Sequence, residues 1–165
     1  MKNLPRRLVI LSVLLVSIGC DQATKHLATT ELRDTPSRSF LGDTFRLVYA
    51  ENPGAFLGMG GQMGEAARFW GFTVLVGLML LGATVFLVLK GRELPGGHLA
   101  GLALLIGGGG SNWFDRLVND GRVVDFLNLG IGSLRTGIFN VADVAIMGGA
   151  LLIALSGKTP VPTTT

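Results

Sequence analysis

Apolar residues along this chain gather into four runs separated by polar stretches, and the runs are too continuous for the half-polar helices of a protein dissolved in water. The first extends from Leu8 to Gly19 behind Lys2, Arg6 and Arg7. The second, Phe69 to Leu89, carries no charge after Arg68 and reaches the length of about 20 residues that a helix needs to cross a bilayer. The third runs from Leu99 to about Phe114 and the fourth from Ile138 to Leu155. If the first continues through Lys25 to Ala28, the pattern predicts four helices over roughly 8–28, 68–90, 98–114 and 138–156. Longer connections at 29–67 and 115–137 alternate with a short basic link that holds Lys90 and Arg92. Arg46-Leu47-Val48-Tyr49 alternates and is β-prone, and Asn52-Pro53-Gly54 and Gly58 to Gly61 are turn signals. The expected fold is an all-α integral membrane protein, with four transmembrane helices and a small extramembrane β-platform, in a single domain spanning 1–165.

Composition agrees with the pattern. Of 165 residues, 48% are hydrophobic and only 15% charged, which is too apolar for an ordinary soluble domain. The net charge of +3 comes from basic residues at the ends of apolar runs, not from a stripe with interleaved aromatics, so no nucleic-acid partner is expected. Lys2, Arg6, Arg7, Lys90, Arg92 and Lys158 fall on one side of the four-helix arrangement, which by the positive-inside rule is the cytoplasm, with both termini there. Arg33, Arg38, Arg46, Arg122 and Arg135 oppose that count from the outer segments. Cys20 is the sole cysteine and excludes an internal disulfide framework. His26 and His98 show no ligand spacing, so neither a metal nor an organic cofactor is expected. The tail Thr159 to Thr165 has a disordered composition.

Polar residues inside such runs need a reason. Gly101 and Gly107 to Gly110 suit close helix packing in lipid, with clearance for a substrate as the other reading. Asn112 and Arg116 share a helix face at i and i+4, whereas Asp115 is expected to cap the helix and meet the headgroups. Asp21 and Lys25, also at i and i+4, read as a structural or site-supporting ion pair. Asp125, in Val123-Val124-Asp125-Phe126, and Asp143, in Asn140-Val141-Ala142-Asp143, each lie among apolar neighbours that oppose ionisation. Brought together, two such carboxyls would share one proton near neutral pH, one taking a proton from water and the other donating to a carbonyl oxygen. Separately, Asp125 would be a turn residue and Asp143 an anion at a helix N-terminus.

Five ordered segments carry a resemblance to a known family: Asp21-Gln22-Ala23-Thr24-Lys25, Asn52-Pro53-Gly54-Ala55-Phe56, Ser111-Asn112-Trp113-Phe114-Asp115-Arg116, Val123-Val124-Asp125-Phe126 and Phe139-Asn140-Val141-Ala142-Asp143. In these the chain resembles the lipoprotein signal peptidases, the bacterial signal peptidase II family. The resemblance implies an inner-membrane aspartyl endopeptidase, its site at the periplasmic face, that cuts diacylglyceryl-modified prolipoproteins before the lipidated cysteine. It maps Asp125 and Asp143 onto the catalytic pair, and Asn52, Gly54, Asn112, Arg116 and Asn140 onto the polar ring that orients substrate and acids. Asp21 and Lys25 map onto the supporting motif of the first helix. The partners implied are prolipoprotein substrates and membrane lipids, and the expected unit is a monomer. In this reading Asn140 bonds one acid while holding the substrate carbonyl, Arg116 steadies a carbonyl and favours an ionised aspartate, and the platform clamps the peptide. Ser111 stands where the family pattern has glycine, and Val144 where it often has a small polar residue.

Two other readings compete. Ser17-Ile18-Gly19-Cys20 after a basic start looks like the cleavage box of a lipoprotein precursor, but three further apolar runs argue against a secreted substrate. A four-helix transporter or scaffold would use the aspartates for protons or ions and would depend on a gradient.

Overall fold

Four long helices carry the described part of the chain, residues 4–157 of a computed structural model, and a four-stranded sheet lies at one end of them. The expectations for Lys2, Lys158 and the Thr159 to Thr165 tail concern positions outside the described residues. Helix α1 spans Leu4–Leu32, α2 Glu65–Lys90, α3 Gly96–Val118 and α4 Val141–Ser156. Within α2 the stretch Phe69–Leu75 is wound as a π-helix, and there the Thr73 carbonyl accepts a hydrogen bond from Trp113 Nε1 of α3 at 2.8 Å. Two segments, Leu8–Leu32 and Glu65–Lys90, are long and apolar enough to cross a membrane; α4 is apolar but shorter. The glycines and the polar end of α3 dilute its apolar character.

Helix α3 is the hub, packing on α4, α1 and α2, and its contact with α4 depends on missing side chains. A Cβ added to Gly101 would stand 2.6 Å from the Gly149 carbonyl oxygen, and one on Gly108 2.5 Å from that of Ala142. Gly101 and Gly108 therefore serve packing, as small residues do where lipid supplies no hydrophobic force between helices.

The sheet is antiparallel, in the order β1 (Arg38–Phe40), β2 (Phe45–Asn52), β3 (Val123–Ile131), β4 (Leu134–Arg135). It departs from the platform expected of segment 29–67 alone, because segment 115–137 contributes its longest strand. The start of β3 is buried on both faces, so Val123 to Phe126 shows none of the alternation that marks a half-exposed strand. Asp125 is consequently a strand residue and not a turn residue, paired with Ala50 across the ladder. Phe126 packs with Ala28 and Leu32, tying the sheet to the end of α1.

Helix limits also move. The α1 helix runs on to Leu32 because Thr29 and Thr30 return their hydroxyls to the Lys25 and Leu27 carbonyls while Ala28 and Leu32 are buried. The α3 helix continues to Val118, its polar residues finding partners inside the protein. Ile138 and Phe139 precede α4, Phe139 bridging to Leu127 of β3, and the helix opens with Asn140 as its N-cap.

Replacing Gly108 by valine drives a side chain into the α4 backbone at Ala142. Overpacking of this kind costs about 1–3 kcal/mol, and thermal unfolding in micelles is expected to show a correspondingly lowered midpoint for Gly108→Val.

Candidate active site

Two elements of different kinds deliver the two acids. Asp125 comes from β3 and is 2% exposed; Asp143 comes from the first turn of α4 and is 6% exposed. The turn into α4 is a capping box. The Asp143 amide donates to Asn140 Oδ1 at 2.9 Å, and the Asn140 amide donates to Asp143 Oδ2 at 3.2 Å. This local motif fixes one acid against Asn140, and Asn140 then reaches the other: its Nδ2 donates to Asp125 Oδ1 at 2.7 Å. The same nitrogen faces Asn112 Oδ1 at 3.0 Å and the Val124 carbonyl at 3.3 Å, so its two protons are engaged within the protein. Asn140 thus bridges Asp125 and Asp143.

Asn112 closes the ring. Its Nδ2 donates to Asp143 Oδ1 at 3.0 Å, and its Oδ1 accepts from Asn140 and, at 2.7 Å, from Lys25 Nζ. Asn52 stands two residues beyond Ala50 on β2, and so on the same sheet face as Asp125; its Nδ2 donates to Asp125 Oδ2 at 2.9 Å. The Asn52 Oδ1 accepts from the Gly54 amide at 2.8 Å. Gly54 is packed so closely that a Cβ would collide with the Met59 and Gly58 carbonyl oxygens, and its own carbonyl accepts from Arg116 Nη2 at 2.7 Å. Arg116 also donates from Nη1 to the Asn112 carbonyl, while its buried Nε lacks a partner among the described residues. All seven positions assigned to acids and polar ring lie in one connected network.

Behind the ring lies a buried ionic layer. Lys25, 4% exposed, places its three N–H groups on Asp21 Oδ2 (2.7 Å), Asp115 Oδ2 (2.8 Å) and Asn112 Oδ1 (2.7 Å). Asp21 also accepts the Ala142 amide at 2.7 Å and the Ser111 hydroxyl at 2.8 Å. Gln22 Nε2 donates to Asp115 Oδ1 at 2.7 Å and to Ser111 Oγ at 2.9 Å. Asp115 is therefore an internal counter-ion, 3% exposed, and not the surface cap that the sequence reading expected. A signal for it was present: Ser111 and Asp115, at i and i+4 on α3, form a polar stripe matching that of Asp21, Gln22 and Lys25 on α1. Ser111, in place of glycine, adds a hydroxyl that accepts from one side of this layer and donates to the other.

Between α2, α3 and α4 a cleft lined by Ala55, Phe72, Val76, Met147, Arg116 and Asp143 opens from the polar ring into apolar surroundings. Burial raises the Asp125 carboxyl to about 6, with the charge of Asp143 acting in the same direction against the lowering hydrogen bonds from Asn52 and Asn140. Among the described residues no group of three or more metal-ligating side chains forms, and the acids are occupied with amide donors.

Lys25→Met would leave Asp21 and Asp115 buried without a counter-charge. Breaking a buried pair in this way costs about 3–5 kcal/mol, and the variant is expected to lose most of its thermal stability in micelles. Because the folded Asp125 carboxyl titrates above the ordinary aspartate value of 3.8, the stability it contributes is full below about 3.8 and is lost as pH rises through about 6. Unfolding midpoints measured from pH 4 to 8 should fall across that window in the wild type, and the step should be absent in Asp125→Asn.

The architecture and the motifs have counterparts among known proteins. A solved structure titled "Bacterial membrane enzyme structure by the in meso method at 2.3 A resolution" has the same fold, with a TM-score of 0.75 over 94% of each chain at 22% identity. The chain is 36% identical over 145 residues to the lipoprotein signal peptidase of Moorella thermoacetica, covering 88% of each protein. It is 38% identical over 147 residues to that of Chlorobium luteolum, covering 84% of each. It is 34% identical over 158 residues to that of Mycobacterium tuberculosis strain H37Rv, covering 92% of this chain and 72% of the relative. The family model described as "Signal peptidase (SPase) II" matches residues 13–157, and the chain, with its apolar helices and its buried polar ring, belongs to that family of membrane peptidases.

Proposed function

We propose that this protein is an aspartyl endopeptidase that removes the signal peptide from diacylglyceryl-modified bacterial prolipoproteins, cutting before the lipidated cysteine. The observation that carries the reading is the bridge from Asp125 through Asn140 to Asp143, which holds two buried carboxyls in one network. Desolvation and mutual repulsion favour a pair that retains one proton. The ionised carboxyl takes a proton from a water whose oxygen attacks the scissile carbonyl carbon, and the protonated carboxyl donates to the carbonyl oxygen. Collapse of the tetrahedral species breaks the C–N bond, with a proton passing to the departing cysteine amine.

The surroundings support this substrate class. The cleft beside Asp143 is apolar along Phe72, Val76, Ile146 and Met147, a lining suited to an acyl chain or an apolar signal sequence. Asn52, Gly54 and Arg116 hold the β2 turn over the acids, and Asn112 and Asn140 set the acids' geometry. Asp21 and Lys25 act through Asn112 and the α4 backbone as positioning residues. We take the molecule as a monomeric single domain over 1–165 that crosses the bacterial inner membrane four times. Both termini are cytoplasmic, and the sheet and acids lie at the periplasmic face, where a lipid-anchored scissile bond would arrive. No metal or organic cofactor has a step in this reaction.

The test is cleavage of a diacylglyceryl-modified prolipoprotein in micelles by wild type, Asp125→Asn and Asp143→Asn, each checked for folding. General acid–base groups contribute about 10²–10⁴-fold, so each variant should fall by at least that factor. Wild-type turnover in either variant would remove the dyad. Activity in micelles without a gradient separates a peptidase from a transporter.

A further inference from the structure

Helices α1 and α2 both pack on α3 but scarcely on one another, and the gap between them is a groove. Its floor is the α3 stripe Ile106, Gly110, Trp113 and Leu117, spaced at 4, 3 and 4 residues, which places all four on one helix face. Leu14, Thr84 and Ile106 line both its outer part and its inner part, so the two are continuous. Toward the end remote from the sheet the apolar walls finish at Arg6 and Arg92. Arg6 Nη1 donates to the Arg92 carbonyl at 2.9 Å, which brings two guanidinium-bearing residues together at the groove mouth. Among the described residues neither has a carboxylate partner, since Glu93 pairs with Lys90.

We propose that this groove is a binding site for one anionic glycerophospholipid of the membrane, with its phosphate on Arg6 and Arg92 and an acyl chain lying between α1 and α2. The dimensions suit that occupant: Arg6 to Ile18 is about 18 Å along α1, close to the depth of one leaflet, about 15 Å. Charge complementarity selects the headgroup, because planar guanidinium groups match phosphate and, among the described residues, no carboxylate pairs with either arginine, Glu93 being engaged by Lys90. Depth comes from the floor, where a Cβ at Gly110 would meet no atom within 4 Å. The groove uses different α3 residues from the cleft beside Asp143, so lipid binding there can be measured apart from peptidase activity.

The experiment titrates delipidated full-length protein in micelles with phosphatidylglycerol or phosphatidylcholine and counts bound lipid by native mass spectrometry. Wild type should hold one phosphatidylglycerol about tenfold more tightly than phosphatidylcholine. Arg6→Gln/Arg92→Gln should lose that preference while still binding phosphatidylcholine, and Gly110→Leu, which fills the floor, should weaken both lipids. Thr84→Leu fills the groove from the opposite wall and replaces Gly110→Leu if that variant unfolds early. Equal affinity for the two lipids in wild type, or a preference that survives removal of both arginines, would overturn the proposal. A dimer mass that disappears with Gly110→Leu, without retained lipid, would give the groove to a second copy and overturn it as well.

Discussion

The ammonium of Lys25 is the point on which the membrane-embedded structure turns. An isolated charge in a low-dielectric interior is prohibitively costly, so Lys25 is tolerable only where every one of its protons meets an acceptor. Those acceptors lie on two helices: Asp21 one turn away on α1, and Asp115 and Asn112 on α3. The ion cluster therefore fixes the rotation and depth of α1 against α3, which apolar packing in lipid would leave loosely specified. Asp21 extends the constraint to a third helix by accepting the Ala142 amide at the opening of α4.

The proposed acids inherit their geometry from this cluster. Lys25 holds Asn112 by its amide oxygen, which turns the amide nitrogen toward Asp143. Asp115, from the other side, accepts the Val124 amide beside Asp125. Each acid is thus supported by a backbone or amide contact that leads back to the same buried charges. Rigid support of this kind is what two-carboxyl chemistry needs, because proton sharing and attack geometry tolerate little displacement.

The sheet does the corresponding work at one end of the helices. An isolated platform from segment 29–67 would present an open edge, whereas pairing β2 with β3 ties both long connections together and lets Asn52 reach Asp125. Surface charges add lateral ties: Glu51 bonds Arg122 before β3, the Tyr49 hydroxyl of β2 and Arg33 at the end of α1, and these keep its carboxyl below its ordinary value. The arginines that weakened the positive-inside count have this second use. Arg46 and Arg135 both contact Asp43, and Arg135 also bonds Asn128 of β3.

Local chemistry made much of this readable in the chain. Long apolar runs identify the helices, because in a bilayer the backbone must satisfy itself, and the i and i+4 spacing of Asp21 with Lys25 and of Asn112 with Arg116 is a property of the helix alone. The alternation of Arg46 to Tyr49 marks β2, and the five motifs mark the family and its candidate residues. What required the tertiary structure is every relation between distant segments. The buried β3 strand has no alternation to reveal it, and Asp115 looks like a surface cap until Lys25 and Gln22 arrive from another helix 90 and 93 residues away in sequence. Asn140 has the same composition whether it meets a substrate or two acids; only the meeting of β3, α3 and α4 engages its donors. Sequence determines which groups are available and which local turns they favour, while burial and partnership are non-local quantities that exist only once the helices and strands have packed.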